Sequence, residues 1–360
     1  MKVWNPFHGC KKFSAGCLHC YMYRIDEAVG RDSTQVVKTG DFALPLKKNR
    51  QGAYKLSSSD SPVYTCLSSD FFVEEADAWR GELWEMMKIR SDLSFVIITK
   101  RIHRAFSALP PDWGEGYPNV AITVTCENQQ AADERLPLLL QLPCVHKEIT
   151  HEPMLGPIVI EPYLREGKIE CVSCGGESGP DARLCDYDWI LSTREQCMRA
   201  GVAFVFRQTG ANFKKGGRCY QIPRSEQHRQ AQKAGIDFTP PIFPDPEEQL
   251  RRLSRSAFRS RFRLGEKERQ YIAVKGLPAI RQHASDFLSA RLAPAEPLHD
   301  GSQTPMKGHP VFIAQHACAC CCRGCLQKWY GIPKGRALSP GELAYLTDLL
   351  MCWISGQIKP

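Results

Sequence analysis

The chain has 360 residues, a formal charge of +8 and 17 cysteines. That length exceeds one ordinary core and allows a domain of roughly 200–250 residues beside a smaller one, while the balance of apolar and charged residues excludes disorder as the default. The opening MKVWNPFHGC has no signal-peptide core and no apolar run reaches membrane-spanning length, so no membrane association and a cytoplasmic location are expected.

Short apolar runs end in polar residues or glycine, and helix-like stretches follow. An initial strand is predicted at residues 3–5, then others at 63–67, 95–98, 120–124, 146–150, 169–173 and 202–206. Residues 74–89 and 186–200 have apolar residues at helical spacing. Strands alternating with helices imply parallel βαβ units, and near-continuous apolar runs suit strands buried on both faces. The fold class predicted is α/β, a barrel or partial barrel. An open doubly wound sheet is the competitor. In a barrel the active site lies at the C-terminal strand ends. The sequence places Asp70, Lys100, Arg101, Glu127, Asn128, His151, Glu152, Glu177, Arg207 and Gln208 there. Four prolines within residues 239–246 mark a boundary, since dense proline blocks helix and strand interiors. The expected division is a barrel over 1–238, a proline-rich linker and charged helix over 239–261, and a small helical Cys/His domain over 262–360.

Seventeen cysteines in a chain without an export signal favour metal or thiol chemistry over disulfides. Cys10, Cys17 and Cys20 form one cluster, with glycines before the first two. Three thiolates from one loop can hold three irons of a four-iron cluster and leave the fourth open. Zinc completed by His8, His19 or a distant ligand is one alternative. Burial of the thiols as small apolar groups is another.

The segment from Trp4 to Tyr21 resembles the three-cysteine motif of the phage-type radical S-adenosylmethionine-like protein family: Trp4-Asn5-Pro6, Gly9-Cys10, and Cys17-Leu18-His19-Cys20-Tyr21. The likeness continues at Ser69-Asp70-Phe71-Phe72, Thr99-Lys100-Arg101, Glu152-Pro153-Met154-Leu155-Gly156-Pro157 and Gly175-Gly176-Glu177-Ser178-Gly179-Pro180. It covers roughly residues 1–215. The resemblance implies a barrel of the radical S-adenosylmethionine type, a 4Fe-4S cluster on Cys10, Cys17 and Cys20, and S-adenosylmethionine at its open iron. It also implies an electron donor and a dedicated partner protein. Six residues separate the first two cysteines, where the commonest radical enzyme spacing has three.

On this reading Asp70 holds the cofactor amino group, with a helix N-cap as its equal alternative. His19 lies against adenine, or is an exposed loop histidine. Gly175, Gly176 and Glu177 form a ligand-binding strand end, because glycines allow close backbone approach. Lys100, Arg101, Glu127, Asn128 and Glu152 are weaker substrate-binding candidates. Each has an ordinary alternative as a cap, an ion-pair partner or a surface charge. No catalytic residue is assigned.

In the tail, Cys322-x2-Cys325 has metal-knuckle spacing, and Cys321, His309 and His316 are further candidate zinc ligands. The competing reading is a helix packing its thiols inside. Helices are expected at 265–274, 278–288 and 340–354, the last starting at Ser339-Pro340. Residues from about 262 to 354 resemble a small bacterial family of unknown function. Its positions for Cys318 and Cys320 are commonly threonine, which removes those two as ligands.

The function expected is a radical S-adenosylmethionine enzyme acting on an unidentified substrate, with a nucleic acid base as the candidate suggested by charge. The alternatives are a metal-stabilised nucleic-acid-binding protein without catalysis, and a cluster subunit dependent on a partner protein.

Overall fold

Seven parallel strands pair side by side in strict chain order: β1 (Lys2–Trp4), β2 (Val63–Thr65), β3 (Phe95–Thr99), β4 (Val120–Thr125), β5 (His146–His151), β6 (Cys171–Gly175) and β7 (Ala203–Gln208). They come from a computed structural model that describes residues 2–59 and 61–358. The register runs straight across, with Trp4 beside Thr65, Thr65 beside Ile97 and Ile97 beside Ile122. A doubly wound sheet would reverse its strand order at a switch point; this one never does. The sheet instead curls into a half-barrel whose edge strands β1 and β7 do not pair. The strands are short and β-branched, and Val63, Ile97, Val120 and Ile122 are fully buried, as double-sided coverage requires.

Helices provide the crossovers: α1 (Tyr21–Ala28), α2 (Asp77–Ile89), α3 (Ile102–Ala108), α4 (Gln129–Gln141), α5 (Glu161–Leu164) and α6 (Tyr187–Ala200), while α7 (Arg224–Ala234) follows the last strand. On α2 the buried face is Leu83, Trp84, Met86 and Met87, the i, i+3, i+4 stripe of an amphipathic helix. Trp84 meets Phe71 at 4.8 Å and Trp113 at 5.0 Å between ring centroids. This helix starts at Asp77 after a short 3-10 turn, so Asp70 is not its N-cap.

The chain divides into two compact units. One extends to Cys197 and resumes at Val202–Phe238; the other comprises Met198–Gly201 and the described chain from Thr239. Every regular element of the second after Thr239 is helical among the described residues: α8 (Pro246–Ser254), α9 (Glu266–Lys275), α10 (Leu277–Arg291), α11 (Pro310–Ala317), α12 (Arg323–Tyr330) and α13 (Pro340–Ile358). The segment read as a linker packs into this unit. Asp245 caps α8 by accepting from Glu247 N at 2.9 Å, and Pro246 takes the first turn. Leu253 joins the core, and Phe243 stacks on Tyr345 at 4.3 Å. Ser339 and Glu342 form a reciprocal capping box at the start of α13. Leu346, Leu349, Leu350 and Ile354 of that helix are fully buried, each contributing about 1.5–3 kcal/mol as an upper estimate. Among the described residues, no helix is long and apolar enough to cross a membrane.

Candidate functional site

The long crossover from β1 to β2 carries the three N-terminal cysteines over the C-terminal mouth of the half-barrel. Gly9 makes the entry possible. It adopts φ +98, and a Cβ there would lie 2.2 Å from the Gln35 carbonyl oxygen. Its N–H donates to Ser68 O at 3.1 Å, and Cys10 N donates to Ser33 O at 2.8 Å. Cys17 ends a 3-10 turn, Ala15–Cys17, and Cys20 immediately precedes α1. The Tyr23 hydroxyl donates to Cys10 O at 2.6 Å.

The strand ends reach up to hold this loop. Glu127, after β4, accepts from Gly16 N at 3.1 Å and from Arg135 Nη1 at 2.8 Å. Burial acts to raise its pKa, but the pairing with Arg135 helps hold the carboxyl below its usual range. Glu177, after β6, is gripped by Arg183, whose guanidinium also donates to Ala15 O at 2.9 Å. Burial opposes ionisation there too, and Arg183 prevails. Asp70, after β2, accepts from Thr99 Oγ1 at 2.7 Å, Phe72 N at 3.0 Å and Lys100 N at 3.0 Å. It also pairs with Arg101 at 3.2 Å. Arg101 in turn donates to Lys11 O at 2.6 Å and approaches Cys10 Sγ at 3.6 Å.

Several sequence candidates therefore act on the loop. Glu127 and Glu177 hold its backbone. Asp70 has its carboxylate filled by protein donors and orients Arg101. Asn128 caps α4, accepting from Ala131 N at 2.9 Å. Gly176 lets two strand-end loops touch: a Cβ there would lie 2.5 Å from Thr209 O. A Cβ on Gly175 would meet the side chains of Gln208 and Glu152 at 3.0 and 3.1 Å. His151 points elsewhere. It is fully buried, with Nδ1 donating to Cys126 O at 2.6 Å and Nε2 without a partner.

All three thiols line one cavity of about 330 Å³, together with Tyr64, Asp70, Lys100, Arg101, Glu152 and Arg207. This volume falls at the lower end of small-molecule sites. A side chamber of about 150 Å³ opens beside Cys20, lined by Gly16, His19, Gly176 and Glu177. A larger cleft of about 520 Å³ lies at Tyr187, Phe213 and Tyr220, but it contains no cysteine or carboxylate cluster. Burial pushes Cys10 up to about 11, with Arg101 opposing and Asp70 and Cys17 adding. Burial also raises Glu152 above its usual range against the pull of Arg207. Arg207, from β7, donates to the Tyr64 hydroxyl of β2 at 2.7 Å. That contact spans the open half-barrel and had no signal in the sequence. The same is true of Arg183 and of Tyr23.

The second unit gathers Cys321, Cys322 and Cys325, whose sulfurs all lie within 4.8 Å of one another. This group could hold a metal ion. Cys10, Cys17 and Cys20 do not meet that criterion. Both ring nitrogens of His309 have other partners: its Nδ1 caps α11, accepting from Val311 N at 3.1 Å, and its Nε2 lies 3.1 Å from His283 Nδ1. Burial and the neighbouring His283 lower it to about 4. His316 stacks on Phe262, and its Nε2 donates to Thr304 O at 3.2 Å. Cys318 and Cys320 are fully buried in the core.

Comparison with known families corrects the resemblance drawn from the cysteine motif. No radical S-adenosylmethionine family matches; the matches are to families of unknown function. The physical reason is that cysteine-bearing loops, glycines and charged strand ends recur on parallel α/β sheets of many functions, so such short motifs do not carry kinship. No solved structure matches the chain. Residues 247–355 match the family described as "Domain of unknown function (DUF4186)", a match that begins within α8. Residues 1–259 match the family described as "Protein of unknown function (DUF5131)", and the chain belongs to that family.

Proposed function

We propose that Cys10, Cys17 and Cys20 carry a four-iron cluster and that the chain is an enzyme that uses it to cleave S-adenosylmethionine and act on an anionic substrate. One observation carries this reading. Three thiols from one loop line a single cavity with charged side chains around them. A zinc ion draws its donors to one point; a four-iron cluster holds each thiolate on a different iron. Held by Cys10, Cys17 and Cys20, such a cluster would supply, when reduced, the one electron that reductive cleavage of S-adenosylmethionine needs.

The residues then have definite tasks. Arg101, fixed by Asp70, directs its charge at the Cys10 sulfur and offsets a thiolate there. Glu127 and Arg183 fix the Ala15–Cys17 turn, which sets where Cys17 points. Lys100 and Arg224 line the cavity without an ion-pair partner among the described residues. With His228 they leave a wall suited to phosphate or carboxylate, the charge that the phosphates of a nucleotide or nucleic acid would bring. Glu152 keeps its proton to a higher pH than an ordinary carboxylate and can donate a hydrogen bond into the cavity.

The test is anaerobic reconstitution with iron and sulfide, followed by measurement of both per chain and of 5′-deoxyadenosine formed under reduction. About four irons are expected, with nucleoside formation abolished in Cys17→Ala. Zinc at these cysteines without cleavage would refute the enzyme and leave a metal-stabilised binding protein.

A further inference from the structure

We propose that Cys321, Cys322 and Cys325 bind one zinc ion through three thiolates, with Arg259 neutralising the site and the fourth coordination position left to an external ligand. The site lies wholly within the second unit and does not depend on the iron–sulfur reading above.

Spacing is the first argument. Zinc–sulfur bonds of about 2.3 Å at tetrahedral angles place neighbouring sulfurs about 3.8 Å apart. Cys321 Sγ and Cys325 Sγ lie 3.6 Å apart, and all three sulfurs fall within 4.8 Å. The separation is far beyond a disulfide bond of about 2.05 Å, and three thiols meeting at one point leave one unpaired in any disulfide. The backbone is already shaped for the ion. Cys322 occupies the N-cap of α12, and its sulfur accepts from Cys325 N at 3.4 Å. The Cys321 carbonyl is fixed by Thr304 Oγ1 at 2.9 Å.

Charge is the second argument. Three thiolates and a divalent ion sum to one negative charge. Arg259 brings one positive charge to that point, with Nη2 3.0 Å from Cys325 Sγ and Nη1 3.7 Å from Cys321 Sγ. Arg259 is 9% exposed, so an unmatched guanidinium there would be costly. Hydrogen bonds to ligating sulfurs are also how surrounding groups orient a metal site. Neither neighbouring histidine completes the set, because His309 faces His283 and His316 donates to Thr304 O. Three protein ligands with one open position is the pattern of reactive rather than purely structural zinc.

The experiment uses the full chain. Zinc per chain is measured for the wild type, Cys322→Ser/Cys325→Ser, Arg259→Gln and Cys17→Ala. Cobalt titration of the wild type reads thiolate-to-cobalt charge transfer, and thiol labelling counts the sulfurs protected by zinc. One tightly held zinc is expected, with three thiols protected and a cobalt–thiolate band. It is lost in the double serine variant, weakened about 10–100-fold in Arg259→Gln, and unchanged in Cys17→Ala. Equal zinc in the double variant and the wild type, or cobalt bound without a thiolate band, would overturn the proposal. The cobalt and labelling measurements need no variant, so misfolding of a substituted chain cannot mimic either result. Loss of zinc in Cys17→Ala alone would assign the ion to the N-terminal loop and also overturn it.

Discussion

His151 offers a pH-dependent test of the half-barrel's stability. Burial lowers its imidazole to about 4, although hydrogen bonding to the Cys126 carbonyl works the other way. An unfolded histidine titrates near 6.5. Between those values the unfolded chain binds more protons, so stability falls as pH falls through that window and is fully present above it. At pH 5 the unfolded ring is protonated about thirty times more often than not, and the folded ring about one-tenth as often as not. That ratio is worth about 2 kcal/mol, against about 0.2 kcal/mol at pH 7. His151→Asn retains a donor for the Cys126 carbonyl and removes the titration. Urea unfolding followed by tryptophan fluorescence should therefore show the wild type losing about 2 kcal/mol more than the variant between pH 7 and pH 5. His309 is present in both proteins, so its contribution cancels. An equal loss in both would show that the His151 ring is solvated or paired in solution and refute the reasoning.

Gly9→Ala should destabilise the cysteine loop by more than about 1 kcal/mol, because its Cβ meets the Gln35 carbonyl at a positive φ; iron retained per chain after reconstitution should fall with it. Glu127→Gln leaves Arg135 buried without its counter-charge and should lower stability by about 3–5 kcal/mol, read as a thermal shift. Asp245→Ala removes the cap of α8 and should cost about 1 kcal/mol in a denaturant melt without altering nucleoside formation.

The sequence alone located the parallel α/β segment and its seven strands. Runs such as Phe95–Thr99 are apolar, β-branched and too short for helices, and periodicity is a local property. It also located the thiol clusters, because cysteine spacing is read along the chain. It did not decide sheet closure or strand order, since these depend on pairing between distant segments. Nor did it tell which strand-end residues face a cavity and which hold the loop. Asp70 and Glu177 line the two chambers and Glu127 holds the loop, and only the tertiary structure pairs their carboxylates with Arg101, Arg183 and Arg135. Arg259 sat within a stretch read as a charged linker helix and became a neighbour of Cys325 only when the second unit folded. A charge is visible in a sequence, but its counter-charge is chosen in three dimensions by burial, because a buried ion unpaired is too costly to keep.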